Sequence, residues 1–183
     1  HQAGPDGRVI ALEPTPWAYD RLLANLRLNP HLRAEPHRVG AGERESHVRA
    51  SVQSSYRLDD RADAEEAEFD VVSLDRFLEA QRLNRLDFIK IDTDGMDLQV
   101  IAGAAEMLRR HKPHILFEAY PFEMNRQGLS TADVVRPLVD NGYARFRAGT
   151  LEPLPDLTPE LERLGPRGLS LNVVARHRDR SSP

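Results

Sequence analysis

Three short, largely apolar runs in this chain each stop at a carboxylic acid: Arg8 to Leu12 ends at Glu13, Leu86 to Ile91 at Asp92, and Ile115 to Phe117 at Glu118. Brief apolar runs, partly β-branched and closed by turn formers, have the composition of buried strands. Between them lie longer stretches with helical spacing. Thr15-Pro16 has the form of a cap followed by a first helical residue, and Trp17, Leu22, Leu23 and Leu26 carry the pattern to Asn29-Pro30. Asp94-Gly95 leads into Leu98, Ile101, Ala102, Ala105 and Leu108. Arg109, Arg110, His111 and Lys112 then place positive charge where a helix dipole favours it, and Pro113 closes the element. Strands alternating with helices specify an α/β sheet, and in such sheets ligands bind beyond the carboxyl ends of the strands. The acids at the strand ends are therefore the first candidates for chemistry.

The remaining pattern extends the same architecture. Phe69 to Val72 reads as a strand, after which Ser73 caps a short helix with Leu74, Phe77 and Leu78 on one face. A weaker strand is expected near Pro36 to Gly40. The polar stretch from Ala41 to Glu68 reads mostly as loop, with one short strand near His47 to Val52. His114 to Tyr120 reads as a strand. Ser130 to Asn141 is a helix ended by Gly142, with Pro137 inside it predicting a kink or a late start. Tyr143 to Arg147 and Leu169 to Ala175 are two closing strands around a helical turn near Pro159 to Leu164. Residues 1–176 are expected to form one domain, followed by a polar tail over 177–183 that frays.

Composition excludes several classes of function. The 183 residues contain no cysteine, which removes disulfides, thiolate nucleophiles, zinc–thiolate sites and iron–sulfur clusters together. Acidic residues outnumber basic ones, 29 to 25, for a formal charge of −4, so the basic excess expected of a nucleic-acid partner is missing. No window approaches the roughly 18 apolar residues of a membrane span, and no amino-terminal signal is seen, so a cytoplasmic protein is expected. The seven histidines have no zinc spacing and read as exposed loop residues. Neither a G-x-S-x-G elbow nor a phosphate-cradling glycine loop is present.

The strand-end acids each admit two readings. Glu13, followed by Pro14, could accept both hydroxyls of an adenosine ribose, or could merely end its strand. Asp92-Thr93-Asp94-Gly95-Met96-Asp97 has an outline of a calcium loop, but its glycine falls two places early and the twelfth position is Gly103. A magnesium-type site on Asp92 and Asp94 stays open without further support, because such ions need only one or two carboxylates. The alternative for Asp94, favoured on capping grounds, is that it caps the following helix while Gly95 relieves a tight turn. For Glu118 the alternative is an ion pair with a nearby cation.

Val9-Ile10-Ala11-Leu12-Glu13-Pro14, Phe88-Ile89-Lys90-Ile91-Asp92-Thr93-Asp94-Gly95 with Val100-Ile101-Ala102-Gly103-Ala104, and Ile115-Leu116-Phe117-Glu118 occur in one order. In this the sequence resembles the FkbM family of methyltransferases, over about Gly7 to Tyr120. It departs where Asp94 stands in place of the family's usual Glu. The resemblance implies a Rossmann-like class I methyltransferase sheet, mostly parallel with an antiparallel last strand, and S-adenosylmethionine as cofactor. It implies cofactor contacts from Glu13, Pro14, Gly40, Ala41 and Asp92, and catalysis or acceptor orientation by Asp92 with Glu118 as partner. The family's first strand and its Asp-x-Gly-x-Asn-type loop would precede His1. The sheet is accordingly expected to be N-terminally truncated, with a vacancy at its centre, and this chain alone to bind the cofactor poorly. Ser51 to Tyr56 and Tyr120 to Asn125 are expected to line the acceptor pocket. The acceptor is a small molecule or glycan, carrying a sugar, lipid-linked or polyketide-type hydroxyl. The competing expectation is a non-catalytic remnant or binding module of the same fold. A nicotinamide-dependent dehydrogenase with Glu13 on the ribose is less well supported, because no hydride-transfer Tyr-Lys pair is recognised.

Overall fold

The structure is a computed structural model that describes residues 3, 4, 6–52, 65–93 and 95–180. It divides into two compact units, His1–Val72 and Ser73–Pro183.

The first unit opens with β1 (Val9–Leu12), α1 (Pro16–Leu28) and β2 (Ala34–His37), and β1 and β2 pair in parallel as a two-stranded sheet. This is a right-sized β–α–β crossover. Arg8 braces the pair by donating to both oxygens of Glu35, at 2.5 and 2.6 Å. Thr15 does occupy the position before α1, with Pro16 in the first turn, but its side chain makes no cap.

A second sheet of this unit has the order β3 (Gly40–Gly42), β5 (Glu65–Ser73), β4 (Ser46–Val52). β4 is the short strand expected near His47 to Val52, whereas β3 and the first residues of β5 are strand where loop was expected, and residues 53–64 of that expected loop lie outside the described residues. The strand signal is masked because β5 alternates charged outward residues, Glu66, Glu68 and Asp70, with an inward Ala67 and Phe69, and alanine carries little apolar weight. Across the antiparallel β4–β5 register the charges pair, Arg49 with Glu66 and Glu68, and His47 with Asp70. A Cβ added at Gly42 would stand 2.8 Å from a Val71 methyl, so packing on β5 explains the glycine there.

The second unit runs α2 (Leu74–Ala80), β6 (Phe88–Lys90), α3 (Asp97–Ala102), α4 (Ala105–His111), β7 (His114–Ala119), α5 (Pro121–Arg126), α6 (Thr131–Asp140), β8 (Tyr143–Arg147), α7 (Thr158–Leu164) and β9 (Leu171–His177). Its sheet has the order β6-β7-β9-β8. The β6–β7 pair is parallel, and β9 runs antiparallel to both β7 and β8, so the sheet is mixed. The core holds the inward face of β7, Ile115, Phe117 and Ala119, with Val173 and Ala175 of β9 and Ile101, Leu108 and Leu138 of the helices. The alternation of buried and half-buried residues along β7 is the period of two expected of a strand.

The single helix expected after Gly95 is two helices, broken at Gly103-Ala104. Glycine weakens a helix interior, and Asp75 of α2 stabilises the break from outside. Its amide donates to the Gly103 carbonyl at 2.9 Å, and its carboxylate accepts from the amides of Glu106 at 2.9 Å and Met107 at 2.7 Å. Lys112 ends α4 in the left-handed region, with φ of 51°. Helix α6 begins at Thr131 behind a Ser130/Asp133 capping box and includes Pro137, so the proline does not delay its start.

The histidines are not uniformly exposed loop residues. His47 lies on β4, His114 opens β7 half-buried, and His177 closes β9 buried against Tyr143. Beyond it, Arg180 donates to the carbonyls of Leu86 at 3.1 Å and His111 at 2.9 Å.

Candidate functional site

Each expected site residue follows from the way its strand ends. At β1 the ladder closes with the Glu13 amide donating to the His37 carbonyl at 3.1 Å, which leaves the Glu13 side chain at the carboxyl end of the strand. Pro14 cannot extend the ladder because it has no N–H. The Glu13 carboxylate turns toward the start of α1: its Oε1 accepts from the Thr15 amide at 2.8 Å and the Thr15 hydroxyl at 2.6 Å. Thr15 therefore spends its hydroxyl on Glu13 and not on capping. Among the described residues Oε2 of Glu13 accepts no hydrogen bond, so half of this carboxylate remains available to an outside donor. Gly40 is buried and Ala41 half-buried on β3. A Cβ at Gly40 would lie 3.1 Å from Val71 and 3.5 Å from Pro14, which ties this strand to the Glu13-Pro14 turn through packing.

At β6 the arrangement differs. Asp92 is exposed and forms an ion pair with Lys90. Asp94 lies outside the described residues, as do residues 53–56 of the expected acceptor segment. The position before α3 is Met96. The acid that organises the turn is Asp97, which is 1% exposed. Its Oδ2 accepts from the Thr93 amide at 3.1 Å and the Thr93 hydroxyl at 2.7 Å, and its Oδ1 accepts from the Glu118 amide at 2.9 Å. The Glu118 side chain is half-buried and accepts from the Ser170 hydroxyl at the start of β9; it forms a hydrogen bond where a cation was the alternative partner. Sequence reasoning singled out the turn but missed Asp97. The available signal was an acid sharing a helical face with Val100 and Ile101, a polar residue on an otherwise apolar stripe.

Beyond β7, α5 packs on the same turn. Gly95 has φ of +102°, and a Cβ there would meet the Glu123 Cβ at 2.4 Å. Gln127 donates to the Gly95 carbonyl at 3.1 Å. On its other side α5 walls a cleft of about 580 Å³, lined by Pro121, Met124, Leu129 and Leu161 with the polar Asn125 and Thr131. Three residues of the expected acceptor segment Tyr120 to Asn125 thus border a concavity of ligand size, roughly 300–1,000 Å³.

The chain matches the methyltransferase FkbM domain over residues 1–145. It belongs to the FkbM methyltransferase family. The crystal structure of methyltransferase FkbM from Methylobacillus flagellatus KT shares the α/β fold, with a TM-score of 0.50 at 19% identity, over 92% of this chain and 36% of that one. The chain therefore spans about a third of the length of this FkbM structure. No curated protein matches it. Among the described residues no cluster of three His, Asp or Glu could hold a metal ion, and no helix is long and apolar enough to cross a membrane.

Proposed function

We propose that this FkbM-family chain, residues 1–176 acting as one methyltransferase domain, transfers a methyl group from S-adenosylmethionine to a hydroxyl of a small-molecule or glycan acceptor. The observation that carries the reading is the family match across the three strand-end acids. S-adenosylmethionine supplies an activated methyl group bound to a sulfonium, so the protein's task is chiefly to bind and align.

The donor set fits the ribose end of that cofactor. A ribose diol offers two O–H donors, and the Oε2 atom of Glu13 is open to them while Oε1 is held in place by Thr15. Pro14 fixes the direction of this turn. Gly40 and Ala41 are assigned to the adenine side by family analogy, although packing against Val71 already accounts for Gly40. Asp92 is assigned to cofactor contact and to acceptor orientation, and Glu118 to the acceptor hydroxyl. A carboxylate is a weak base toward an alcohol at neutral pH, so these groups serve mainly to orient the hydroxyl and accept its hydrogen bond, with proton removal late in the transfer. The cleft beside α5 receives the acceptor, whose apolar portion lies on Met124, Leu129 and Leu161.

Calorimetric titration of the full-length protein with S-adenosylmethionine tests the reading, followed by detection of S-adenosylhomocysteine when sugar and polyketide alcohols are supplied. Glu13→Gln is expected to weaken cofactor binding by about tenfold, the worth of one charge-assisted hydrogen bond. Absence of cofactor binding by the full-length protein would overturn the proposal in favour of a binding module without catalysis.

A further inference from the structure

The proposed chemistry leaves a buried carboxylate unused. A carboxylate taken from water costs several kcal/mol unless its oxygens are fully hydrogen-bonded, so an acid retained at 1% exposure must satisfy donors that need it. Asp97 has three, and they come from two different strand ends.

The strand geometry explains why these donors need it. In the parallel β6–β7 pair the ladder ends with the Ile91 amide donating to the Leu116 carbonyl at 2.8 Å. Continuing the register, Lys90 opposite Leu116, the next bond would run from the Glu118 amide to the Ile91 carbonyl. The Glu118 amide instead donates to Asp97. The two strands separate at this point, and a side chain takes over the acceptor role of the backbone. The same carboxylate holds Thr93, the neighbour of Asp92, through both its amide and its hydroxyl. One side chain thus sets the spacing between the turn that carries Asp92 and the strand end that carries Glu118.

We infer that Asp97 is a positioning residue, which fixes Asp92 and Glu118 relative to one another at the point where β6 and β7 part. This rests on the roles proposed above for those two acids. Asparagine cannot substitute, because its amide nitrogen would face a donor on one side or the other.

The test uses the full-length protein with S-adenosylmethionine as the probe, and reads amide hydrogen exchange alongside calorimetric affinity. Asp97→Asn is expected to speed exchange at Thr93 and Glu118 by at least about tenfold while Ile115 and Phe117 stay protected. Its cofactor affinity is expected to fall about 10- to 100-fold with the binding stoichiometry unchanged. Asp92→Asn is the control. If Asp92→Asn weakens binding and Asp97→Asn speeds exchange without weakening it, Asp97 is only structural and the inference is overturned while the functional reading stands. If Asp92→Asn leaves binding and methyl transfer intact, the role given to Asp92 fails first and takes the inference with it. Should Asp97→Asn not fold, Thr93→Val removes a single donor: a loss of affinity of about tenfold, one hydrogen bond to a charged group, supports positioning, and unchanged affinity overturns it.

Discussion

The turns after β1 and β6 solve the same problem in opposite ways. Both leave a strand, carry an acid and enter a helix. After β1 the carboxylate of Glu13 is held by Thr15, two residues on, and keeps one oxygen open. After β6 the organising carboxylate, Asp97, reaches 21 residues along the chain to Glu118 and keeps nothing open. The first turn is closed by local bonds alone. The second is closed by a tertiary bond, and its exposed neighbour Asp92 pairs with Lys90. An acid at a strand end can thus be tied within its own turn, or tie two strand ends together.

The largest expected effect breaks the second turn. Asp97→Ala takes the acceptor from three part-buried donors, the Thr93 and Glu118 amides and the Thr93 hydroxyl, and is expected to cost about 3 kcal/mol. Glu13→Ala, at a half-buried site where water can replace the lost contacts, is expected to cost about 1 kcal/mol. Urea titration measures both. Trp17, the chain's single tryptophan, lies on α1 and reports the first unit by fluorescence, while hydrogen exchange in β7 reports the second. Equal costs would erase the distinction between the turns.

The contrast also explains what the sequence disclosed. Glu13, Pro14, Thr15 and Pro16 are consecutive, so the strand stop, the helix start and the acid between them were legible from local chemistry. Asp97 stood in a failed calcium pattern and beside an apolar helical stripe, but its role depends on Glu118, which no local window contains. The split between α3 and α4 was missed for the same reason: Gly103 hints at it, but Asp75, the residue that caps α4, sits 31 residues before Glu106. The β4–β5 pair was legible near His47 to Val52 and Phe69 to Val72, but the start of β5 was missed, since Ala67 and the flanking glutamates hid a period of two beneath high polarity. Strand-end acids were legible as a class, whereas which of them is free and which is spent required the fold.

A second break acts through the backbone. Gly95→Ala forces a side chain into a left-handed position with Glu123 at 2.4 Å, and is expected to cost about 2–3 kcal/mol by strain and displacement of α5. Gly128 is also left-handed, with φ of +69°, but has open space around it. Gly128→Ala is expected to cost about 1 kcal/mol, the backbone penalty alone. Urea midpoints of the pair separate close packing from conformational strain, and loss of the α5 wall in Gly95→Ala adds a second readout in accelerated exchange at Met124.

A milder change sharpens the comparison by testing a third acid. Asp75 holds two amides at the start of α4 from a neighbouring helix, so it is tertiary like Asp97 but sits near the surface. Asp75→Ala is expected to cost about 1–2 kcal/mol, the range of a lost helix cap, as read from the urea midpoint of the second unit. A cost as large as that of Asp97→Ala would mean that reach along the chain, more than burial, sets the penalty.

The smallest effect separates the two units by pH. Burial pushes the His114 and His177 imidazoles of the second unit below their ordinary value of 6.5, with nearby Arg176 and Lys112 respectively adding to the shift. An unfolded chain then takes up protons before the folded one does. This contribution is full above pH 6.5 and is lost as the pH falls from there through the lowered folded values. In the first unit the hydrogen bond to Asp70 pushes His47 above 6.5. Its contribution is full below 6.5 and is lost as the pH rises through the raised folded value. Acidification from about pH 7.5 to about 5.5, the range in which histidines titrate, is therefore expected to raise protection in the β4–β5 hairpin and lower it in β7 and β9. Hydrogen exchange corrected for intrinsic rates measures both in one experiment. His47→Gln should abolish the gain in the hairpin and leave the loss in β7 and β9 unchanged, because the two responses arise from different side chains with opposite signs.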